Sequence, residues 1–182
     1  MARHLLKADN SVFMIIDLQE NLMKVMDQAG KVYKNTQLVL AACYKLNIPV
    51  IVTEQYPKGL GHTVAEVKGS LGEHVKLEKI SFSACSVDAL KVLKGYNRNQ
   101  ILVAGSETHI CVFQTVRDLI MAGYQVFVLQ DAVCSRFKHN HKNGLELMRE
   151  EGAVITNAET VVFDLLKVAG TPEFKAIAPL LK

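Results

Sequence analysis

Three polar residues stand where three apolar runs end. Asp17 closes VFMIID, Lys79 closes VKLEK, and Cys111 follows ILVAGSETHI at the head of CVFQTVRDLIMAG. A carboxylate, an ammonium and a thiol gathered in one place supply a proton acceptor, a charge stabiliser and a nucleophile. Open α/β sheets bind ligands just beyond the carboxyl ends of their strands, where such residues would meet.

The elements that must position them read as strand then helix, repeated. Val12 to Ile16 is a continuous apolar run, which suits a strand buried on both faces of a parallel sheet. Apolar residues then recur at helical spacing over 31–46 (Val32, Leu38, Val39, Ala42, Leu46). IPVIVT supplies the second strand, with Pro49 near its start, where a missing N–H is tolerated. VKLEK, ILVAG, YQVFVLQD and AVITN are the third to sixth strands. The spacing predicts helices over 87–93, 111–121, 143–151, 159–168 and, as a tail, 172–181. Residues 54–73 have no clear period and read as an active-site loop with one short helix. This alternation specifies an α/β class with a parallel sheet, right-handed crossovers and helices on both faces.

At 182 residues the chain is one domain, 1–182, able to bury roughly 70% of its unfolded surface without disulfides. Its 49% hydrophobic and 21% charged residues argue against disorder. The net charge is +3, the lysines are scattered and Trp is absent, so there is no basic stripe with interleaved aromatics for nucleic acid. No apolar run approaches the ~18 residues of a membrane span, and MARHLLKADN lacks the apolar core of a secretory signal. Four widely separated cysteines without a CxxC suit free thiols in a reducing, cytoplasmic setting, while the basic, acid-free first seven residues leave organelle import as the alternative.

Each site residue has a plainer alternative. Cys111 at a helix start gains from the backbone N–H groups and positive helix end, which favour thiolate and would hold an oxyanion. The plain reading is a small buried hydrophobe. Asp17 either serves chemistry or caps the next helix. In a sheet ordered 3-2-1-4-5-6, strands one and four adjoin at the switch point, so Asp17 and Cys111 lie side by side. Lys79, two strands away at ~4.8 Å per step, reads from spacing alone as a solvated lysine beside Glu78. Cys134 in DAVCSR is the rival nucleophile, while Cys43 and Cys85 look structural. His62, His109, His139 and His141 carry no metal-ligand spacing.

Several longer segments carry a resemblance: MIIDLQE, TEQYPKGLG, EKISFSAC, GSETHICV, DAVCSR and GAVITNAETVVFDLL. Over nearly its whole length the chain resembles the isochorismatase-like cysteine hydrolases, and in TEQYPKGLG and Glu-Thr-His the branch called isochorismatase domain-containing proteins. The resemblance implies a Rossmann-like three-layer αβα domain with a six-stranded parallel sheet of order 3-2-1-4-5-6. It implies an Asp–Lys–Cys triad at Asp17, Lys79 and Cys111. It also implies a cis peptide at Ser106–Glu107, which turns the Glu107 N–H toward an oxyanion alongside that of Cys111.

The departures narrow the chemistry. The family's nicotinamidases carry an Asp-x-His metal motif after strand two, and this chain has TEQYPKGLGH there, so neither a metal, nor a cofactor, nor nicotinamidase activity is expected. True isochorismatases lack the nucleophilic cysteine, so Cys111 points to attack on a small amide, ureide or similar carbonyl. Glu107 puts a charge near the pocket, either selecting cationic or hydrogen-bond-donating substrates or facing solvent. Gln19, Tyr56 and Phe82 flank the site as substrate contacts. The expectation is a homo-oligomer, dimer or tetramer, acting on a small molecule. The competing reading is a binding or scaffold protein that keeps the fold without efficient catalysis.

Overall fold

The computed structural model describes residues 4–181. A 3-10 turn, Ala8–Asn10, leads into β1 (Ser11–Ile16), a one-turn α1 (Glu20–Met23) and the long α2 (Ala29–Lys45). β2 (Val50–Gln55) is followed by two short helices, α3 (Pro57–Leu60) and α4 (Ala65–Lys68), and by the edge strand β3 (Val75–Lys79). Then come α5 (Val87–Tyr96), β4 (Gln100–Ser106), a π turn over Thr108–Val112 and α6 (Phe113–Met121). The chain continues through β5 (Gln125–Cys134), α7 (Lys138–Glu150), β6 (Val154–Thr156), α8 (Ala158–Leu166), α9 (Pro172–Ile177) and a 3-10 turn over Ala178–Leu181.

The six strands form one parallel sheet in the order β3-β2-β1-β4-β5-β6, as expected. All six β1 residues are buried because both faces of the strand are covered. Phe13 and Ile15 face one core with Val32, Val39, Val161 and Leu165 of α2 and α8. Val12, Met14 and Ile16 face the other, with Leu93, Val116, Leu119 and Met148 of α5, α6 and α7. The period-two alternation of side chains thus divides one apolar run between two helix layers.

β4 ends at a glycine-dependent contact. Gly105 pairs with Ile16 at a φ of 142°, and a Cβ there would lie 2.2 Å from the Ile16 carbonyl oxygen. Only glycine brings the carboxyl ends of β1 and β4 this close.

The differences from the sequence expectation lie in the connections. β2 runs two residues beyond Thr53 because its pairing with β3 continues to Gln55↔Lys79. The 54–73 stretch holds two short helices rather than one. α7 starts at Lys138 instead of residue 143, and its first turn, KHNH, has no apolar residue to mark it. The helix expected to open at Cys111 is preceded by the π turn, so Cys111 sits inside a wider coil.

Candidate active site

Asp17 follows β1 in a left-handed backbone conformation, φ 49°, and its side chain is fully buried. Its Oδ1 accepts a 2.7 Å hydrogen bond from the Thr53 hydroxyl, and its Oδ2 lies 2.6 Å from Lys79 Nζ. The Ser106 hydroxyl donates to the Asp17 carbonyl at 2.8 Å, tying the end of β4 to the end of β1. Burial is the largest influence on the carboxyl and raises it above its ordinary 3.8, opposed by Lys79 and by hydrogen bonds from Thr53 and Cys111.

Lys79 crosses the gap that spacing left open. It is 9% exposed, and its ammonium is ringed by Asp17 Oδ2, the Phe82 carbonyl at 2.9 Å, the Ser81 carbonyl at 3.1 Å and Gln55 Oε1 at 3.4 Å. The solvated-lysine alternative is therefore corrected: two loop carbonyls draw the side chain back over β2, toward the carboxylate.

Cys111 is 5% exposed, and its thiol donates to Gln55 Oε1 at 3.2 Å. Burial first and the Asp17 carboxylate second push it up to about 12, against smaller lowering effects of Lys79 and the Glu107 backbone N–H. The helix-start position does not dominate, so Cys111 rests as a thiol. The Ser106–Glu107 peptide is cis. The Glu107 carboxylate does neither thing expected of it: it is buried and accepts hydrogen bonds at 3.1 Å from both the backbone N–H and Nε of Arg136.

The flanking residues differ in what they do. Gln19 is fully buried and braces the loop, accepting from Gln55 N at 2.7 Å and donating to the Gln55 and Gly61 carbonyls at 3.0 and 2.7 Å. Tyr56 is largely exposed and lines a cavity of about 390 Å³ with Pro57, Lys58, Glu78, Lys79 and Ile80. Phe82 is also exposed, and the Lys79 ammonium is held by its carbonyl.

Two residues escaped the sequence reading. Thr53 and Gln55, two apart on β2, present their side chains to one face, where they meet Asp17, Lys79 and Cys111. Glu54 between them points the other way. Burial alone would raise it, but hydrogen bonds from the Thr63 N–H and hydroxyl and from His62, with Lys76 nearby, hold it at about 2. Placing the end of β2 at Gln55 would have exposed this alternation.

Cys134 is buried at the end of β5 and faces a different cavity, of about 350 Å³, with Lys31, Lys138 and Lys142. Burial first, then the Glu107 and Asp27 carboxylates, push its thiol up to about 12. His109 Nδ1 lies 3.0 Å from Ser135 Oγ and His141 Nδ1 3.0 Å from Thr108 Oγ1. Among the described residues no group of three or more His, Cys, Asp or Glu is arranged to hold a metal ion, and no helix is long and apolar enough to cross a membrane.

A buried carboxylate paired with an ammonium, and a thiol that shares one carboxamide oxygen with that ammonium, can shuttle a proton and present sulfur to a carbonyl carbon. Known proteins share the framework. Over 180 residues the chain is 37% identical to isochorismatase family protein 1A of Dictyostelium discoideum, covering 96% of this chain and 87% of that one. It is 36% identical over 178 residues to isochorismatase domain-containing protein 2 of Danio rerio, covering 97% and 89%. A solved structure described as the MAR1 ribonuclease of Caenorhabditis elegans superposes with a TM-score of 0.92 at 34% identity, covering 97% of this chain and 91% of that one. Residues 11–160 match the isochorismatase domain as a family. The chain belongs to the isochorismatase domain family.

Proposed function

We propose that the protein is a cysteine hydrolase of a small amide- or ureide-type C–N bond. The observation that carries this reading is the convergence of Asp17, Lys79 and the Cys111 thiol at the ends of three different strands. The Asp17 carboxylate takes the thiol proton as sulfur bonds to the substrate carbonyl carbon. The Glu107 N–H, directed at the sulfur, and the Cys111 N–H receive the oxyanion. Collapse breaks the C–N bond, and the Asp17 carboxyl returns the proton to the leaving nitrogen. Water, deprotonated by Asp17, then hydrolyses the thioester and restores the thiol. Lys79 stabilises the negative charge throughout.

Gln19 enters this proposal as a positioning residue, because its amide is occupied by loop backbone. Tyr56 and Phe82 provide the apolar entrance. Ile80 lines that entrance with Tyr56, and the exposed Ile80 and Val87 support assembly as a homo-oligomer. Four free cysteines suit a cytoplasmic location. The C. elegans neighbour is described as a ribonuclease. A thiol at the centre of the site favours carbonyl carbon over phosphorus, so RNA belongs in the assay as a second substrate.

The test is ammonia release from a panel of primary amides and ureides, with Cys111→Ala and Asp17→Asn as controls. Release by the wild type alone supports the reading. Absence of release and of any acyl adduct on Cys111 would favour a binding protein on the same fold.

A further inference from the structure

Gln55 is the residue nearest the chemistry to which neither family nor fold assigns a part. It is half-buried at the end of β2, and its main chain is fixed from both sides by Gln19, which donates to its carbonyl and accepts from its N–H. Its side chain makes three contacts. Oε1 receives the Cys111 thiol at 3.2 Å and the Lys79 ammonium at 3.4 Å, while Nε2 donates to the Ile80 carbonyl at 3.3 Å. The network fixes the amide orientation, since the opposite one would set an NH2 against an ammonium and a carbonyl against a carbonyl.

The bond to Oε1 is the longest that the Lys79 ammonium makes, and the thiol has a second acceptor in the Asp17 carboxylate, so this oxygen is the acceptor in the site most easily taken over by an incoming donor. We infer that Gln55 selects acyl compounds bearing an N–H next to the carbonyl, by accepting that N–H on Oε1 in place of the Cys111 thiol. The thiol, released from Gln55, is left with the Asp17 carboxylate as its proton acceptor. An ester of the same acyl group brings no donor, leaves the thiol on Gln55 and forfeits the contact. Primary amides and ureides are thereby the preferred class, and binding and activation are coupled through a single oxygen. This rests on the hydrolase reading above and names its selectivity.

The experiment uses two alkylating probes with the same reactive carbon, iodoacetamide and methyl iodoacetate. In each case the sulfur displaces iodide and its proton leaves to Asp17 or solvent. Rates at Cys111 are read by mass spectrometry and divided by those of N-acetylcysteine in the same solution. The wild type is expected to favour the amide by about tenfold, the worth of one hydrogen bond to a charged or buried partner. Gln55→Met, which has no acceptor oxygen, loses the preference; Gln55→Glu, which keeps one, retains it. A merely structural role would move the two variants together. If the wild type shows no amide preference, or Gln55→Met keeps it, the selection by Gln55 is overturned whatever the variants' stability. If instead Cys111 is no faster with either probe than the other cysteines, the hydrolase reading itself has failed.

Discussion

The Lys79 ammonium lies 2.6 Å from the Asp17 carboxylate although β2 stands between the strands that carry them. Neither side chain is more than 5% exposed, so the pair is shielded from water. Removing Lys79 leaves the buried Asp17 carboxylate with only the Thr53 hydroxyl and the Cys111 thiol as donors.

Lys79→Ala is therefore expected to cost about 3 kcal/mol or more of stability. For a domain of this size that lowers the melting temperature by roughly 6–12 °C. Thermal unfolding followed by circular dichroism checks it. A melting temperature unchanged from the wild type would mean that the pair is not closed in solution.

The alkaline stability limb reports the buried thiols. Cys111 and Cys134 are each raised from 9.0 to about 12, both by burial first. The folded protein keeps these protons while the unfolded chain releases them above 9, so their contribution is complete below that pH and is lost as pH rises toward 12. Each thiol adds up to about 1.4 kcal/mol per pH unit to the slope. Denaturant titrations of the wild type and Cys134→Ala should differ in slope only above pH 9.

The acid limb has the opposite sign. Glu54 is held at about 2 against an ordinary 4.5. Its contribution is complete above 4.5 and is lost as pH falls toward 2. Asp17, raised above 3.8, works the other way, so the difference between the wild type and Glu54→Gln isolates Glu54. That difference should shrink steadily between pH 4.5 and 2; a constant difference would contradict the assignment.

Gly105→Ala tests the closure of β4 on β1. The added Cβ would lie 2.2 Å from the Ile16 carbonyl oxygen, at a φ of 142° that side-chain-bearing residues avoid. The variant should lose about 3 kcal/mol or more, since strain and displacement of the strand end add together. It should also lose Cys111 reactivity, because the same strand end sets the distance from Asp17. Chemical denaturation with parallel alkylation measures both.

The sheet was legible because β1 and β4 are buried on both faces and so read as unbroken apolar runs, and their adjacency follows from the 3-2-1-4-5-6 order. Asp17 and Cys111 were legible for the same reason: each follows the end of such a run. Lys79 was not legible from spacing, since its reach depends on the Ser81 and Phe82 carbonyls of a loop without periodicity. Thr53 and Gln55 were hidden because polar residues at a strand end look like its termination. The start of α7 was hidden because a solvent-facing first turn carries no apolar mark. The direction of the Cys111 shift depends on burial, which position along the chain does not disclose.

The central claim is that Asp17 takes the proton of Cys111. The most direct measurement is the rate of iodoacetamide labelling at each cysteine at neutral pH, in the wild type and in Asp17→Asn. Cys111 should label fastest in the wild type although Cys85 is the more exposed. Asp17→Asn should slow it by about 10² to 10⁴, the usual worth of a positioned base. An order that follows exposure, with Cys85 first and no effect of Asp17→Asn, would contradict the account.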